Sequence, residues 1–176
     1  MKESDAAELI QAGLADKSTA STWVDLGSGT GTFTKALANL LRNGSKIIAI
    51  DKEDQQIQSP NPEISIEFIK HDFRKKLPEL PPLDGILMAN ALHYVEDQTA
   101  FIKQLKQHLK ADGRMIFVEY DTDQSNTWVP YPVTFNKLKE LLSQTGYTSV
   151  IKIGEMDSVY NQNTMYACAA LQLPSS

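Results

Sequence analysis

Three glycines at alternate positions follow an aspartate in "VDLGSGTG", residues 24–31: Asp25, then Gly27, Gly29 and Gly31. Glycine loses the most backbone freedom on folding, so it is costly in regular structure. Its use here points to a turn where something lies against bare backbone. A nucleotide-like ligand over the loop Gly27, Ser28, Gly29, Thr30 and Gly31 is one explanation, and a plain tight turn is the other. A second acid, Asp51, ends the apolar run "KIIAID", 51 − 27 = 24 residues after Gly27. A carboxylate at that place can accept both hydroxyls of a ribose.

The spacing separates two ligands. The dinucleotide fingerprint G-x-G-x-x-G would put its third glycine at position 32, which is Thr32. A pyrophosphate also disfavours an acid close to the loop. Asp25 instead suits a cationic, amine-bearing ligand such as S-adenosylmethionine, or it satisfies loop amides without touching the amine.

These residues need a scaffold, and the hydrophobic pattern describes one. A short amphipathic helix is expected over 4–15, from Ala6, Leu9, Ile10 and Leu14. "TWVDL" reads as a buried strand. Phe33, Ala36, Leu37, Leu40 and Leu41 follow the helical i, i+3, i+4 spacing over 31–42, and "NGS" ends that helix. "KIIAID" is a strand with both faces covered, and "ISIEFI" is a third strand. "KKLPELPP" is loop, and "LDGILMAN" is a fourth strand. A helix over 97–110 has Asp97 as its N-cap. "GRMIFVEY" is a fifth strand, and a helix around Phe135, Leu138, Leu141 and Leu142 ends at Gly146. "YTSVIKIG" and "TMYACAALQL" close the chain as a hairpin. Alternating strands and helices imply a parallel sheet with right-handed crossovers. An α/β fold of seven strands is expected, six parallel and the last reversed, in one domain over 1–176 that includes a short helical extension at 1–20.

At this point the chain resembles, over nearly all its length, the class I S-adenosylmethionine-dependent methyltransferases, as a small single-domain member. "VDLGSGTG", "AIDKED", "KHDF", "DGILMANALHYV" and "LKADGRMIFVEY" resemble that family's successive motifs, in order. The resemblance implies a doubly wound, Rossmann-like three-layer sandwich with strand order 3-2-1-4-5-7-6 and an antiparallel last strand. It implies S-adenosylmethionine as cofactor and S-adenosylhomocysteine as product. It places Asp51 on the ribose, Asp72 on the adenine amino group, Phe73 beside the ring, and Asn90 and Ala91 near the methionine moiety. Lys52 borders the same site or is simply solvated. Asp72 has the alternative of starting a turn, and Phe73 of being plain core.

The acceptor is less legible. Methyl transfer needs the nucleophile held near the methyl carbon, behind the sulfur. A general base is needed only when the acceptor loses a proton. The Asn/Asp-Pro-Pro-aromatic motif of amino-methylating relatives is absent, since "ANAL" stands there. Candidates on the same rim are His93 and Tyr94 after the fourth strand, Glu119 and Tyr120 after the fifth, then Trp128 and Tyr131. His93 is the best-placed base, because imidazole titrates near neutrality; the alternative is that it only shapes its loop. "DTDQSNTWVPYP" either roofs the acceptor pocket and excludes water, or uses Trp128 and Tyr131 to seal the core. The short extension leaves little material for a lid, so the pocket is open or a second subunit covers it. A monomer and a homodimer both fit.

Composition narrows the classes. The net charge is −5, and "RKK" at 74–76 is the only tight basic cluster, which argues against a nucleic-acid backbone as partner. The single cysteine, Cys168, reads as a buried small hydrophobe, and no CxxC or clustered His/Cys pattern suggests a metal. No apolar leader or membrane-length apolar run is present, so a cytoplasmic enzyme is expected. The reading is a methyltransferase for a small-molecule acceptor at an O, N or C centre. A protein or RNA methyltransferase, or a non-catalytic S-adenosylmethionine-binding partner subunit, is the alternative.

Overall fold

The computed structural model describes residues 1–14, 18–158 and 163–173. Its centre is a seven-stranded sheet made of β1 (Thr22–Leu26), β2 (Lys46–Asp51), β3 (Ser65–Lys70), β4 (Leu83–Ala89), β5 (Leu109–Tyr120), β6 (Ser149–Asp157) and β7 (Thr164–Leu171). The order is β3-β2-β1-β4-β5-β7-β6. β7 pairs antiparallel with β5 and β6, and every other neighbour pair is parallel. The expected order and the single reversed strand are therefore both observed.

Four helices cover the sheet: α1 (Glu3–Ile10), α2 (Thr32–Leu40), α3 (Gln98–Lys106) and α4 (Phe135–Gln144). The period-two alternation of strand side chains sorts them into two layers. On β5, Met115 and Phe117 pack in one core with Phe101 and Leu105 of α3 and Leu138 and Leu142 of α4. The intervening Ile116 and Val118 pack in the other, with Leu9 of α1 and Phe33 and Leu37 of α2. Each side chain of this kind stabilises by about 1.5–3 kcal/mol when fully buried, so β5, buried on both sides, is a central support. Asp97 caps α3 by accepting from Ala100 N at 3.0 Å, and Thr134 caps α4 by accepting from Lys137 N at 3.2 Å.

Three boundaries differ from expectation. The first helix ends at Ile10 and tightens into a 3₁₀ turn over Gln11–Gly13, whose end is held by Arg114 Nη1 donating to Gly13 O at 3.0 Å. Ala6, Leu9 and Ile10 are buried, so the N-terminal helix is part of the core and not lid material. α3 stops at Lys106, because the chain must turn into β5 already at Leu109, opposite Leu83 of β4. Residues 109–112, expected as helix end and loop, thus extend β5. No helix covers the connections from β2 to β3 and from β3 to β4, and the edge strand β3 alternates exposed and half-buried residues. Among the described residues, no helix is long and apolar enough to cross a membrane.

Candidate functional site

The site lies at the carboxyl ends of β1, β2, β4 and β5, beside the reversal of strand order between β1 and β4. The loop after β1 is pinned first. Gly27 N and Ser28 N both donate to Ile50 O of β2, at 2.8 and 3.1 Å, and Gly31 N donates to Ser28 O at 3.0 Å. Gly27 sits at φ +77°, and a Cβ there would meet the Ala91 Cβ at 2.8 Å. Gly29 sits at φ +51°, and a Cβ there would meet nothing within 4 Å. The first glycine is required by its neighbours. The second bares its backbone to open space, where a ligand can approach. Gly31, also left-handed, serves as N-cap residue of α2.

Asp25 and Asp51 flank this loop in different states. Asp51 Oδ2 accepts from Gly29 N at 2.8 Å and Oδ1 from Glu53 N at 2.9 Å, so the loop and the end of β2 are one unit. Asp25 is 1% exposed. Thr34 Oγ1, in the first turn of α2, donates to its Oδ2 at 2.6 Å. Burial pushes the Asp25 carboxyl up to about 7; the Thr34 hydrogen bond opposes this, and the negative charge of Asp51 adds to it.

Three cavities meet at Asn90, the residue after β4. The first, about 230 Å³, lies between Asp25, the glycine loop, Asn90 and Met165. Three buried side-chain oxygens on its wall lack a hydrogen-bond partner: Asp25 Oδ1, Ser28 Oγ and Asn90 Oδ1. Buried polar atoms are rarely left unpaired, and three on one wall mark a place for a polar ligand. They suit the amino-acid end of S-adenosylmethionine. The second cavity, about 440 Å³, is bordered by Gly27, Gly29, Asp51, Lys52, Asp72 and Phe73, with Asn90, Ala91, Tyr94 and Trp128 opposite. It suits the adenosine. Phe73 is buried against Phe101, with ring centroids 5.9 Å apart, and presents its edge beside Gly27. Asp72 is more committed than expected. Arg74 Nε and Nη2 donate to its two oxygens at 2.9 and 2.7 Å, and these bonds hold its carboxyl down at about 2. Oδ1 also accepts from Arg74 N at 3.1 Å, so Oδ2 is the oxygen that keeps a lone pair for a further donor.

The third cavity, about 330 Å³, is lined by Asn90, His93, Tyr94, Tyr120, Trp128 and Val129, among others. His93 stands on a 3₁₀ turn, Leu92–Tyr94, directly after β4. Its Nδ1 lies 2.7 Å from Glu119 Oε2, and its backbone N donates to Glu119 Oε1 at 3.2 Å. Both residues are buried, at 2% and 1% exposure. When Glu119 is a carboxylate it can only accept, so Nδ1 would carry the proton between them and Nε2 would be the accepting nitrogen of the ring. Asn90 holds the turn open with a left-handed backbone, φ +51°, and its N donates to Val118 O of β5 at 2.7 Å.

Each sequence-level candidate can now be placed. Asp25, Gly27, Ser28, Gly29, Asp51, Lys52, Asp72, Phe73 and Asn90 each border one or both of the first two cavities, whereas Gly31 lines neither and packs against Ile57. His93, Tyr94, Tyr120 and Trp128 border the third. Glu119 is buried behind His93, bonds to it through both oxygens and lines none of the three cavities. Tyr131 does not reach that cavity either; its side chain lines a surface groove with Asp72, Arg74 and Glu96. Neither Trp128, 77% exposed, nor Tyr131 seals the core; Val129 and Val133 do. Thr34, Arg74 and Met165 were not singled out in the sequence. Arg74 had a signal, a cation two residues after Asp72. Thr34 bonds to Asp25 only nine residues back, across the glycine loop, whereas Met165 had no signal, since it meets Asn90 across 75 residues of chain.

The segment between β5 and α4 is fastened at several points. Phe135 N donates to Asp121 Oδ1 at 3.0 Å and clasps its two ends. Asn126 Oδ1 accepts from Trp128 N and Val129 N at 2.8 and 2.9 Å. Tyr131 N donates to His93 O at 2.9 Å, and Gln98 Nε2 donates to Tyr131 O at 2.9 Å.

A family model described as a methyltransferase domain matches residues 2–152. The chain belongs to that family, that of the class I S-adenosylmethionine-dependent methyltransferases. Among solved structures it is similar to the 1,6-didemethyltoxoflavin-N1-methyltransferase of Burkholderia thailandensis, determined with 1,6-didemethyltoxoflavin and S-adenosylhomocysteine bound. There the identity is 18% and the TM-score 0.72, over 98% of this chain and 78% of that one. It is similar to the plantazolicin methyltransferase BpumL in complex with S-adenosylhomocysteine, at 14% identity and TM-score 0.65, over 97% and 84% of the two chains. It is also similar to the YcgJ protein of Bacillus subtilis, at 11% identity and TM-score 0.71, over 98% and 100%. At these identities the likeness is one of fold. No curated protein sequence matches the chain.

Proposed function

We propose that this chain is a single-domain enzyme that moves the methyl group of S-adenosylmethionine onto a small molecule. The acceptor atom, oxygen, nitrogen or carbon, gives up a proton as it is methylated. The observation that carries this reading is the buried His93–Glu119 pair, 2.7 Å apart, on a cavity that shares Asn90 with the two cofactor-side cavities.

The cofactor, when bound, supplies a methyl group already activated on a sulfonium. Asp25, Ser28 and Asn90 would hold its amino-acid end, Asp51 its ribose, and Asp72 with Phe73 its adenine. The protein's own chemistry is then positioning and proton removal. His93 Nε2 takes the proton of the acceptor atom, while Glu119 keeps Nδ1 protonated and stabilises the imidazolium that results. A positioned base of this kind contributes about 10²–10⁴-fold in rate. A buried His–Glu pair opening on a ligand cavity also argues for catalysis over mere cofactor binding. The cavity size, about 330 Å³, favours a small molecule.

Calorimetric titration with S-adenosylhomocysteine, with NADH in a parallel cell, tests the cofactor; binding of NADH alone would overturn the reading. A panel of small acceptors with methyl-labelled S-adenosylmethionine tests the reaction. His93→Ala is expected to bind S-adenosylhomocysteine within about twofold of wild type and to lose about 10²-fold or more in turnover. Equal loss of both would make His93 a structural residue.

A further inference from the structure

The acceptor cavity has a chemical character beyond its base. Its wall carries three aromatic side chains, Tyr94, Tyr120 and Trp128, together with His93 and Asn126. Among the described residues no Lys, Arg, Asp or Glu lines it; Glu119 lies behind His93 and bonds to it. A charged acceptor would therefore lose its hydration with no counter-ion to replace it. The part of the acceptor that enters is uncharged.

Trp128 is the unusual member. An indole buries a large area when it packs, yet this one is 77% exposed. It is not exposed for want of anchoring. Asn126 Oδ1 accepts from its N at 2.8 Å, the next residue, Val129, is buried in the core, and Tyr131 N donates to His93 O at 2.9 Å. The indole is thus presented by a fastened turn whose far end is hydrogen-bonded to the base-bearing residue itself. It stands on the wall common to the adenosine-side cavity and the His93 cavity. Tyr94, 40% exposed, stands on the same common wall.

We propose that Trp128 is the specificity-determining residue, and that the acceptor is a flat, uncharged, conjugated ring that stacks on its indole with the reacting atom toward His93. This deepens the function proposed above and rests on the same site. Stacking supplies orientation, because offset and edge geometries of aromatic pairs are preferred over others. That orientation is what methyl transfer asks of the protein. A saturated ring of the same size fits the volume but gains no stacking.

The test uses the whole protein saturated with S-adenosylhomocysteine and two matched probes, 2-naphthol and decahydro-2-naphthol. The chain has two tryptophans, so the Trp128 indole N–H resonance is assigned by its loss in Trp128→Phe. Titration with 2-naphthol is expected to shift that resonance saturably, and the saturated alcohol to bind at least tenfold more weakly. Trp128→Ala, kept saturated with S-adenosylhomocysteine, is expected to weaken 2-naphthol binding at least fivefold. Trp128→Phe, which keeps a ring, should lie within threefold of wild type. Equal binding of the two probes, an unmoved indole resonance, or an unaffected Trp128→Ala variant overturns the proposal. His93→Ala separates this from the catalytic reading: it keeps the naphthol shift and loses turnover if both hold. Turnover lost with no discrimination between probes defeats only the stacking, and discrimination with turnover kept defeats only the base.

Discussion

The two ends of the crevice are made of different material. At the end proposed for the cofactor, recognition would rest on the backbone: left-handed glycines, amides turned on Ile50 and Asp51, and a helix start behind them. At the acceptor end it is built from side chains carried on a 3₁₀ turn and a long connection. A backbone site tolerates little change, because its geometry is set by torsions and close contacts. A side-chain site can be altered one residue at a time. The difference teaches where a shared cofactor and a private substrate are each encoded, and it can be tested from both sides.

The largest effect is expected at the acceptor end. Glu119→Gln keeps the shape but removes the carboxylate that fixes His93, and should lower turnover about 10²-fold with S-adenosylhomocysteine affinity unchanged. Steady-state kinetics beside calorimetry read this; weakened cofactor binding would mean that the two ends are not separable. At the cofactor end, Asp51→Ala should weaken S-adenosylhomocysteine by about 1–3 kcal/mol, the cost of a lost charge-assisted pair. Asp51→Asn sharpens the point, because its amide oxygen can still accept from Gly29 N. If Asn restores affinity fully, Asp51 acts by holding the loop and not by gripping the ribose.

The smallest effect is a slope in pH. Asp25 has its carboxyl raised to about 7 by burial, from 3.8. Below that value it holds a proton and offers no charge to an ammonium; above it, it does. Affinity for S-adenosylhomocysteine should therefore rise between about pH 6 and 8, by at most about tenfold per unit, and Asp25→Asn should flatten that rise. Stability without cofactor runs the other way. A carboxyl whose folded value lies above its unfolded one favours the fold most below pH 3.8 and loses that contribution as pH rises through about 7. Thermal melts across the same range should show stability falling with pH without S-adenosylhomocysteine and a flatter dependence with it.

Legibility followed the same division. The glycine loop and Asp51 announce themselves because strand, turn and strand are local, and their spacing is set by chain geometry. The Glu119–His93 pair is not local. It depends on β4 and β5 lying side by side with Ala89 opposite Val118, which no spacing in the chain reveals. Trp128 was readable as important but not as exposed, since composition does not say which way an aromatic points. The first helix was readable from its periodicity, yet its place in the core depends on α2 and β5, far along the chain. Residues 109–112 were misread because they continue the helical pattern into a polar stretch before Gly113, whereas pairing at Leu83 starts the strand.

The clasp between Asp121 and Phe135 has a consequence for the history and engineering of such a chain. A segment whose ends are tied independently of its middle behaves as a cassette. Its interior can be lengthened or exchanged while the sheet on one side and α4 on the other stay where they are. Doubling a flexible loop costs only about 0.6 kcal/mol in closure entropy, less than one buried methyl group contributes. A new acceptor range can therefore be grafted between those two residues while the glycine loop and Asp51, which lie outside the segment, keep their places.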